Sequence, residues 1–235
     1  MLRGVRTALS FLTVLPFPAP RDFRPEDLGR AAPHYPLAGY VVGGVVAAVL
    51  WAPLPIPAGV RGALALLAWL LVTGMLHLDG LLDSADALLA PVSPQRRLEI
   101  LRDVRVGAFG VGVGVATLLL LWSELSSPMP WWAPVVAAVS ARFAVTGPLA
   151  VFPAARGDGL GAAAQGGRWW WWGGLYVLPV LLLPGAWLAV LLTVAVAWLG
   201  AWWASRRLGD GITGDVVGAL IVVAEVAALL PYVIG

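Results

Sequence analysis

The chain has 235 residues, of which 60% are hydrophobic and only 12% charged, with a formal net charge of +2 and a mean hydropathy of +0.86. A soluble domain carries about a quarter of its residues as charge, so a water-facing shell is excluded and an integral membrane protein is indicated. The small net charge makes no case for a nucleic-acid partner, and the absence of cysteine excludes disulfides and thiolate metal sites.

At the N-terminus, Arg3 and Arg6 lead into an apolar stretch from Ala8 to Val14. That layout suits a cleavable signal, but apolar stretches continue to the end of the chain. A short interfacial or re-entrant helix, with both arginines at the headgroups, is therefore expected. A membrane span needs about 20 mostly apolar residues. Seven stretches qualify: 37–54, 62–78, 106–123, 133–152, 171–185, 187–204 and 216–234. The fifth is short, and Pro184-Gly185 predicts a tight turn after it. Open sheet would leave backbone groups unpaired in lipid, and the runs are too long and unalternating for barrel strands. The expected fold class is all-α: a polytopic bundle of about seven transmembrane helices plus short interfacial helices, forming a single domain over 1–235.

Arginine placement predicts orientation. All 15 basic residues are arginine. With the N-terminus inside, segments 1–36, 79–105, 153–170 and 205–215 hold Arg3, Arg6, Arg21, Arg24, Arg30, Arg96, Arg97, Arg102, Arg105, Arg156, Arg168, Arg206 and Arg207. The outside segments hold Arg61, and Arg142 lies within a span. This places the C-terminus outside. Trp131-Trp132 and the Trp169–Trp172 run fall at span ends, as an aromatic belt would. The acids gather on the same inner side, apart from Glu124 outside and Glu225 within the last span. Polar chemistry at one face favours a membrane-surface enzyme over a transporter, which needs ionisable groups near mid-membrane.

The densest chemistry is His77-Leu-Asp79-Gly-Leu-Leu-Asp83-Ser-Ala-Asp86. The aspartates recur at i, i+4 and i+7, one helical face over two turns. Adjacent carboxylates repel, so the pattern makes sense around a divalent cation, and oxygen-only ligands suit Mg²⁺ or Mn²⁺. The alternative is a solvated helix end whose acids pair with Arg96, Arg97 or Arg102. His77 is open to several roles: ligand, phosphate contact, acid/base group or structural histidine. Residues 95–105 then read as an amphipathic interfacial helix whose arginines (Arg96, Arg97, Arg102 and Arg105) either meet anionic lipid or clamp phosphate. Asp103, followed by Gly107 and Gly110, is a candidate to complete the metal shell. In Leu208-Gly-Asp-Gly-Ile-Thr213-Gly214-Asp215, glycines would let the backbone approach a phosphate, and Thr213 or Asp215 would cap a helix. Arg142 and Glu225 are candidates because ionisable residues within spans are functional by default.

These stretches together resemble the cobalamin synthase family, the adenosylcobinamide-GDP ribazoletransferases. The resemblance is carried by Phe11-Leu-Thr-Val-Leu-Pro16, Tyr35-Pro-Leu-Ala-Gly39, Thr73-Gly, the His77–Asp86 block, Arg97-Leu-Glu-Ile-Leu-Arg-Asp103, Val106-Gly107 with Gly110, Ser140-Ala-Arg142 and Thr213-Gly-Asp-Val-Val-Gly-Ala219. Departures are Val14, where a basic residue is common, Ala87, where glycine is common, and Val222, where an acid is common. The resemblance implies a Mg²⁺-dependent enzyme, with Mn²⁺ able to substitute, in the inner membrane with its site at the cytoplasmic face. It would join adenosylcobinamide-GDP to α-ribazole or α-ribazole 5′-phosphate and release GMP. Asp79, Asp83 and Asp86, with Asp103, would hold metal. The arginines, Arg142, Glu225 and the Thr213–Asp215 turn would meet substrate, and an aspartate or His77 would take the attacking proton. A homo-oligomer is left open.

The nearest alternative is a CDP-alcohol phosphotransferase, but the Ala-Arg that follows those enzymes' first aspartates is missing after Asp83. An aspartate-rich prenyltransferase ranks third. A transporter is the alternative from a different class, with Arg142 and Glu225 as its only mid-membrane groups.

Overall fold

The computed structural model describes residues 2–18, 20, 22–24, 26–157 and 170–234, and every regular element among them is helical. Helix α1 covers Leu2–Leu12. Helix α2 (Glu26–Ala31) runs through a 3₁₀ turn into α3 (Tyr35–Leu50), and α4 (Ala58–Val72) and α5 (Leu76–Leu89) follow. Next come α6 (Pro94–Ile100), α7 (Ala108–Leu125), α8 (Ala133–Ala144) and α9 (Thr146–Val151). A 3₁₀ turn at Trp170–Gly173 opens α10 (Gly174–Leu181), and the chain ends in α11 (Ala186–Leu208) and α12 (Gly214–Val233).

Helix α8 is the centre, with α3, α11 and α12 packed around it. Its residues from Val136 to Arg142 are fully buried. Lipid is as apolar as a leucine side chain, so helices in a membrane gain little from hiding apolar groups and associate through close backbone packing. Gly39 and Gly43, four residues apart on α3, supply that approach. A Cβ on Gly39 would stand 2.5 Å from the Ala138 carbonyl oxygen, and one on Gly43 would stand 2.5 Å from Val135 Cα. The outer helices leave apolar faces open: Val111, Val115 and Leu119 on α7, and Leu188, Leu191, Leu199 and Trp202 on α11.

The described residues do not confirm the seven spans expected. Among the described residues, five helical segments are long and apolar enough to cross a membrane: Asp27–Leu50, Ala108–Leu125, Ala133–Val151, Ala186–Leu208 and Gly214–Val233. A sixth arises if α4 and α5 are one broken span, since they meet at an 89° bend. The expected span 62–78 therefore does not run through. Gly74 and Met75 both take positive φ, 60° and 58°, which ends α4 and redirects the chain. A hydropathy window cannot detect this, because Thr73, Gly74 and Met75 sit inside an unbroken apolar run.

The expected fifth span, 171–185, contains only a short apolar helix over Trp171–Leu181. Ala154 bridges to Ile212 beside the C-terminal end of α11, whereas Pro184, at its other end, accepts from Trp132 Nε1 at 3.4 Å. Between these points Tyr176 lies alongside α3, its hydroxyl 2.9 Å from His34 Nδ1 and its carbonyl 2.7 Å from Tyr40 Oη. Gly185, at φ 79°, makes the tight turn expected at Pro184-Gly185.

Helix α1 packs on α2 and α3 through Thr7, Ala8 and Leu12. Arg3, expected at lipid headgroups, grips Asp27 at 2.6 Å and Asp22 at 3.1 Å. Of the aromatic belt, Trp131, Trp171 and Trp172 are exposed as expected. Trp169, Arg21, Asp158, Arg168 and Gly235 lie outside the described residues.

The α3–α8 contact predicts a contrast between adjacent glycines. Gly43→Leu should lower the melting temperature of the detergent-solubilised protein by several degrees. Gly44→Leu should leave it nearly unchanged, because nothing lies within 4 Å of a Cβ at Gly44. Equal thermal shifts would contradict the packing described.

Candidate active site

The site is built where α5 crosses the start of α12. Gly80 makes the crossing possible: a Cβ there would come within 2.7 Å of the Asp215 carbonyl oxygen. Thr213 caps α12, its hydroxyl accepting from the Val216 amide at 3.4 Å. Capping was open to Thr213 or Asp215. With Thr213 in that role, the Asp215 carboxylate turns towards α5. Asp79, Asp86 and Asp215 lie close enough to Asp83 to repel its charge, and Arg156 close enough to attract it. The predicted face of α5 is thus real, but its acids differ in depth: Asp79 is exposed, Asp83 half-buried and Asp86 buried.

Asp86 has a local partner. Its two oxygens accept from the Gly107 amide at 2.6 Å and the Gly110 amide at 2.9 Å. These amides belong to the N-terminus of α7, so Asp86 caps that helix from a different element, an interaction on the order of 1–2 kcal/mol. A Cβ on Gly107 would collide with the carboxylate at 2.5 Å, which explains the small residue beside the acid.

Asp103, expected to extend the metal shell, is engaged elsewhere. It accepts from Arg105 Nη2 at 2.7 Å and from the Arg105 amide at 3.1 Å. The Arg105 guanidinium holds its carboxyl down at about 2. Among the described residues no group of three His, Asp or Glu side chains is gathered to hold a metal ion. The donor chemistry of Asp79, Asp83 and Asp215 nevertheless suits a hard cation bound in the usual Mg²⁺ manner, by one or two carboxylates with substrate phosphates and water.

The arginines of residues 95–105 separate into different roles. Arg97 is buried and donates to the Ala87, Ala90 and Arg207 carbonyls at 3.1, 2.7 and 3.4 Å. It closes the C-terminal end of α5 and fastens it to α11, so neither lipid nor phosphate explains it. Burial, with Arg207 nearby, pushes its pKa down from the ordinary arginine value. Arg96 forms an exposed pair with Glu99 at 2.6 Å. Arg105 is exposed beside Asp103, and Arg102 is exposed on the same surface. Leu98, Ile100 and Leu101 pack on the core, as expected of an amphipathic helix.

Arg142 and Glu225 meet as a pair away from the acids of α5. Arg142 Nη1 lies 2.6 Å from Glu225 Oε1, with side-chain exposures of 0% and 3%. Trp69 Nε1 donates to the same oxygen at 3.2 Å, so the pair joins α8, α12 and α4 just before the break. His77 is buried close by, its backbone 3.5 Å from where a Cβ of Gly218 would stand. Its Nε2 and the Nε and Nη2 of Arg142 have no hydrogen-bond partner among the described residues. His77 therefore belongs to this interior group, two residues short of the acid face.

Sequence reasoning missed Arg156 as a site residue. Pro153 accepts from the Ile212 amide, and the Ala155 amide donates to Ile212, both at 2.9 Å. Glycine at position 211 admits Ala155, whose backbone nitrogen would be 2.6 Å from a Cβ there. This fastening delivers Arg156 Nη2 to within 2.7 Å of Asp215 Oδ2. The available signal was only that Arg156 and Asp215 share the inner side by the arginine rule.

A helical membrane bundle with an acidic site at one end fits a membrane-embedded enzyme acting on phosphorylated substrates. Residues 4–233 match the model of the cobalamin-5-phosphate synthase family (CobS), and the chain belongs to that family. It is 55% identical over 227 residues to an adenosylcobinamide-GDP ribazoletransferase of Deinococcus radiodurans, covering 97% of this chain and 84% of that protein. A protein of the same name from Thiobacillus denitrificans is 42% identical, covering 97% and 94% of the two chains. Another from Roseiflexus sp. is 38% identical, covering 94% and 86%. No solved structure matches the chain.

The buried pair makes a prediction. Arg142→Met leaves Glu225 uncompensated and should cost about 3–5 kcal/mol, whereas Arg142→Met with Glu225→Leu should recover most of that loss. Denaturation in detergent measures both. A single variant as stable as the native protein would contradict the pairing.

Proposed function

We propose that this protein joins adenosylcobinamide-GDP to α-ribazole or its 5′-phosphate and releases GMP. The observation that supports this most directly is the Gly80 crossing, which brings Asp215 of the Thr213-Gly-Asp turn against the His77–Asp86 block. Two stretches of the resemblance, separated by most of the chain, become one site. The ribazole hydroxyl attacks the diphosphate phosphorus bonded to the cobinamide side, and the bond to the GMP oxygen breaks. Asp83, half-buried among like charges and still reachable, takes the hydroxyl proton in this reading. Mg²⁺, or Mn²⁺ in its place, would be held by Asp79, Asp83 and Asp215 and would offset charge on the phosphate oxygens and departing GMP. Asp86 holds α7 against α5 and so fixes the far edge of the site.

A transporter reading has more structural basis than the sequence suggested, because α4 and α5 form a broken helix and Arg142 pairs with Glu225 beside the break. Family membership and the acids at one end favour the transferase. Purified protein given adenosylcobinamide-GDP, α-ribazole 5′-phosphate and Mg²⁺ should yield GMP and adenosylcobalamin 5′-phosphate in equal amounts. EDTA should stop turnover, and Asp83→Asn should slow it far more than about tenfold, given its proton and charge roles. Release of CMP from a CDP-linked substrate, with the cobinamide nucleotide untouched, would point to the phosphotransferase alternative. Full activity in EDTA would end the metal reading.

The site belongs at the cytoplasmic face of the inner membrane on the arginine rule. Ser93→Cys and Ser126→Cys test this in a chain without native cysteine. An impermeant thiol reagent on intact spheroplasts should label position 126 and spare position 93. The opposite pattern would invert the orientation.

A further inference from the structure

The acidic site has a cation supplied from outside its own helices, and its circumstances differ from those of the other arginines discussed. Arg97 spends its donors on helix-end carbonyls, and Arg142 is sealed inside the bundle. Arg96 and Arg105 are paired with their own neighbours on an exposed surface. The Arg156 side chain is 18% exposed and reaches Asp215, itself 29% exposed, through Nη2 alone. Its Nε is buried and has no hydrogen-bond partner among the described residues. Guanidinium binds phosphate best through two parallel N–H groups. Arg156 thus meets one carboxylate oxygen with one nitrogen while its Nε donor is unused.

The backbone leading to Arg156 is fixed by the paired hydrogen bonds between residues 153–155 and Ile212. The side chain can therefore change partner without moving the loop. A phosphate arriving beside Asp83 and Asp215 would enter a field set by Asp79, Asp83, Asp86 and Asp215, against which Arg156 is an opposing charge.

We propose that Arg156 is a substrate-binding residue, whose guanidinium holds the diphosphate of the nucleotide substrate and pairs with Asp215 when that substrate is absent. This rests on the transferase reading of the site. Asp215 keeps the arginine aimed at the acids, and exchange of a carboxylate for a phosphate costs little because both are oxygen anions of matching geometry.

The test is equilibrium binding of inorganic pyrophosphate and of GMP, with guanosine as the phosphate-free control, to detergent-solubilised full-length protein in Mg²⁺. Arg156→Gln should weaken both phosphates by about tenfold or more, the loss of a charge-assisted hydrogen bond. Arg156→Lys should fall between, since it keeps the charge without the fork. A double-mutant cycle with Asp215→Asn separates substrate contact from simple neutralisation of Asp215. If Arg156→Gln weakens binding as much in the Asp215→Asn background as in the native one, the arginine acts on the phosphate. If the effect disappears in that background, or if phosphate binding never changes, the proposal is overturned. A loss extending equally to guanosine would also overturn it. Should the native protein fail to release GMP from adenosylcobinamide-GDP while pyrophosphate binding still depends on Arg156, the transferase reading fails and the phosphate contact stands.

Discussion

The close crossing of α5 over α12 is the constraint on which the site depends. Two helices whose backbones approach this nearly need a residue without a side chain at the contact, and Gly80 is that residue. Any larger group would push Asp79 and Asp83 away from Asp215. The crossing in turn requires α5 to leave the direction of α4, which the left-handed torsions at Gly74 and Met75 permit. Backbone geometry at two short places thus decides whether residues 136 positions apart share one electrostatic field.

The C-terminal end of α5 is then fixed by two charged groups that would otherwise look catalytic. Arg97 takes up carbonyls at its C-terminal end, and Asp86 grips the amides that open α7. Near its beginning, the Arg142–Glu225 pair and Trp69 join α8, α12 and α4. Ionisable groups in a bundle this apolar are costly unless paired, and these are paired across elements rather than along them. The remaining acids of α5, Asp79 and Asp83, are exposed and half-buried, and neither forms an ion pair with another described residue.

Much of this was legible in the sequence where the signal is periodic. The apolar runs at 106–123, 133–152, 187–204 and 216–234 match helices closely, and the i, i+4, i+7 aspartates do lie on one helical face. What was not legible depends on contacts between distant segments. Asp86 reads like its two neighbours on paper, yet the amides 21 and 24 residues further on give it a separate task. On sequence Arg97 is open to anionic lipid or phosphate like the other arginines of residues 95–105, whereas the chain folds its side chain against the end of α5. The break at Gly74 is hidden because hydropathy averages side chains and carries no torsion. Arg156 could not be assigned because its position comes from an isolated bridge between residues 154 and 212, which has no local pattern.

The charge balance left by these assignments points to what the site awaits. Asp79, Asp86 and Asp215 act on Asp83 as like charges and Arg156 as an opposing one, and the α7 amides further offset Asp86. An arrangement with that much residual negative charge is unfavourable as a purely structural element, and a stable fold would gain by losing one carboxylate. It becomes reasonable if the partners arrive with the substrate. A diphosphate alone would be repelled by these acids, and a divalent cation on Asp79, Asp83 and Asp215 alone would still lack the oxygen ligands that phosphates supply. On the proposed reading they would satisfy one another: the cation would offset the acids, the phosphates would complete its oxygen shell, and the arginine would take the oxygens that remain. On the same reading, the incompleteness of the carboxylate group would be a condition for binding metal and nucleotide as a unit, coupling charge neutralisation to the presence of the molecule that is to react.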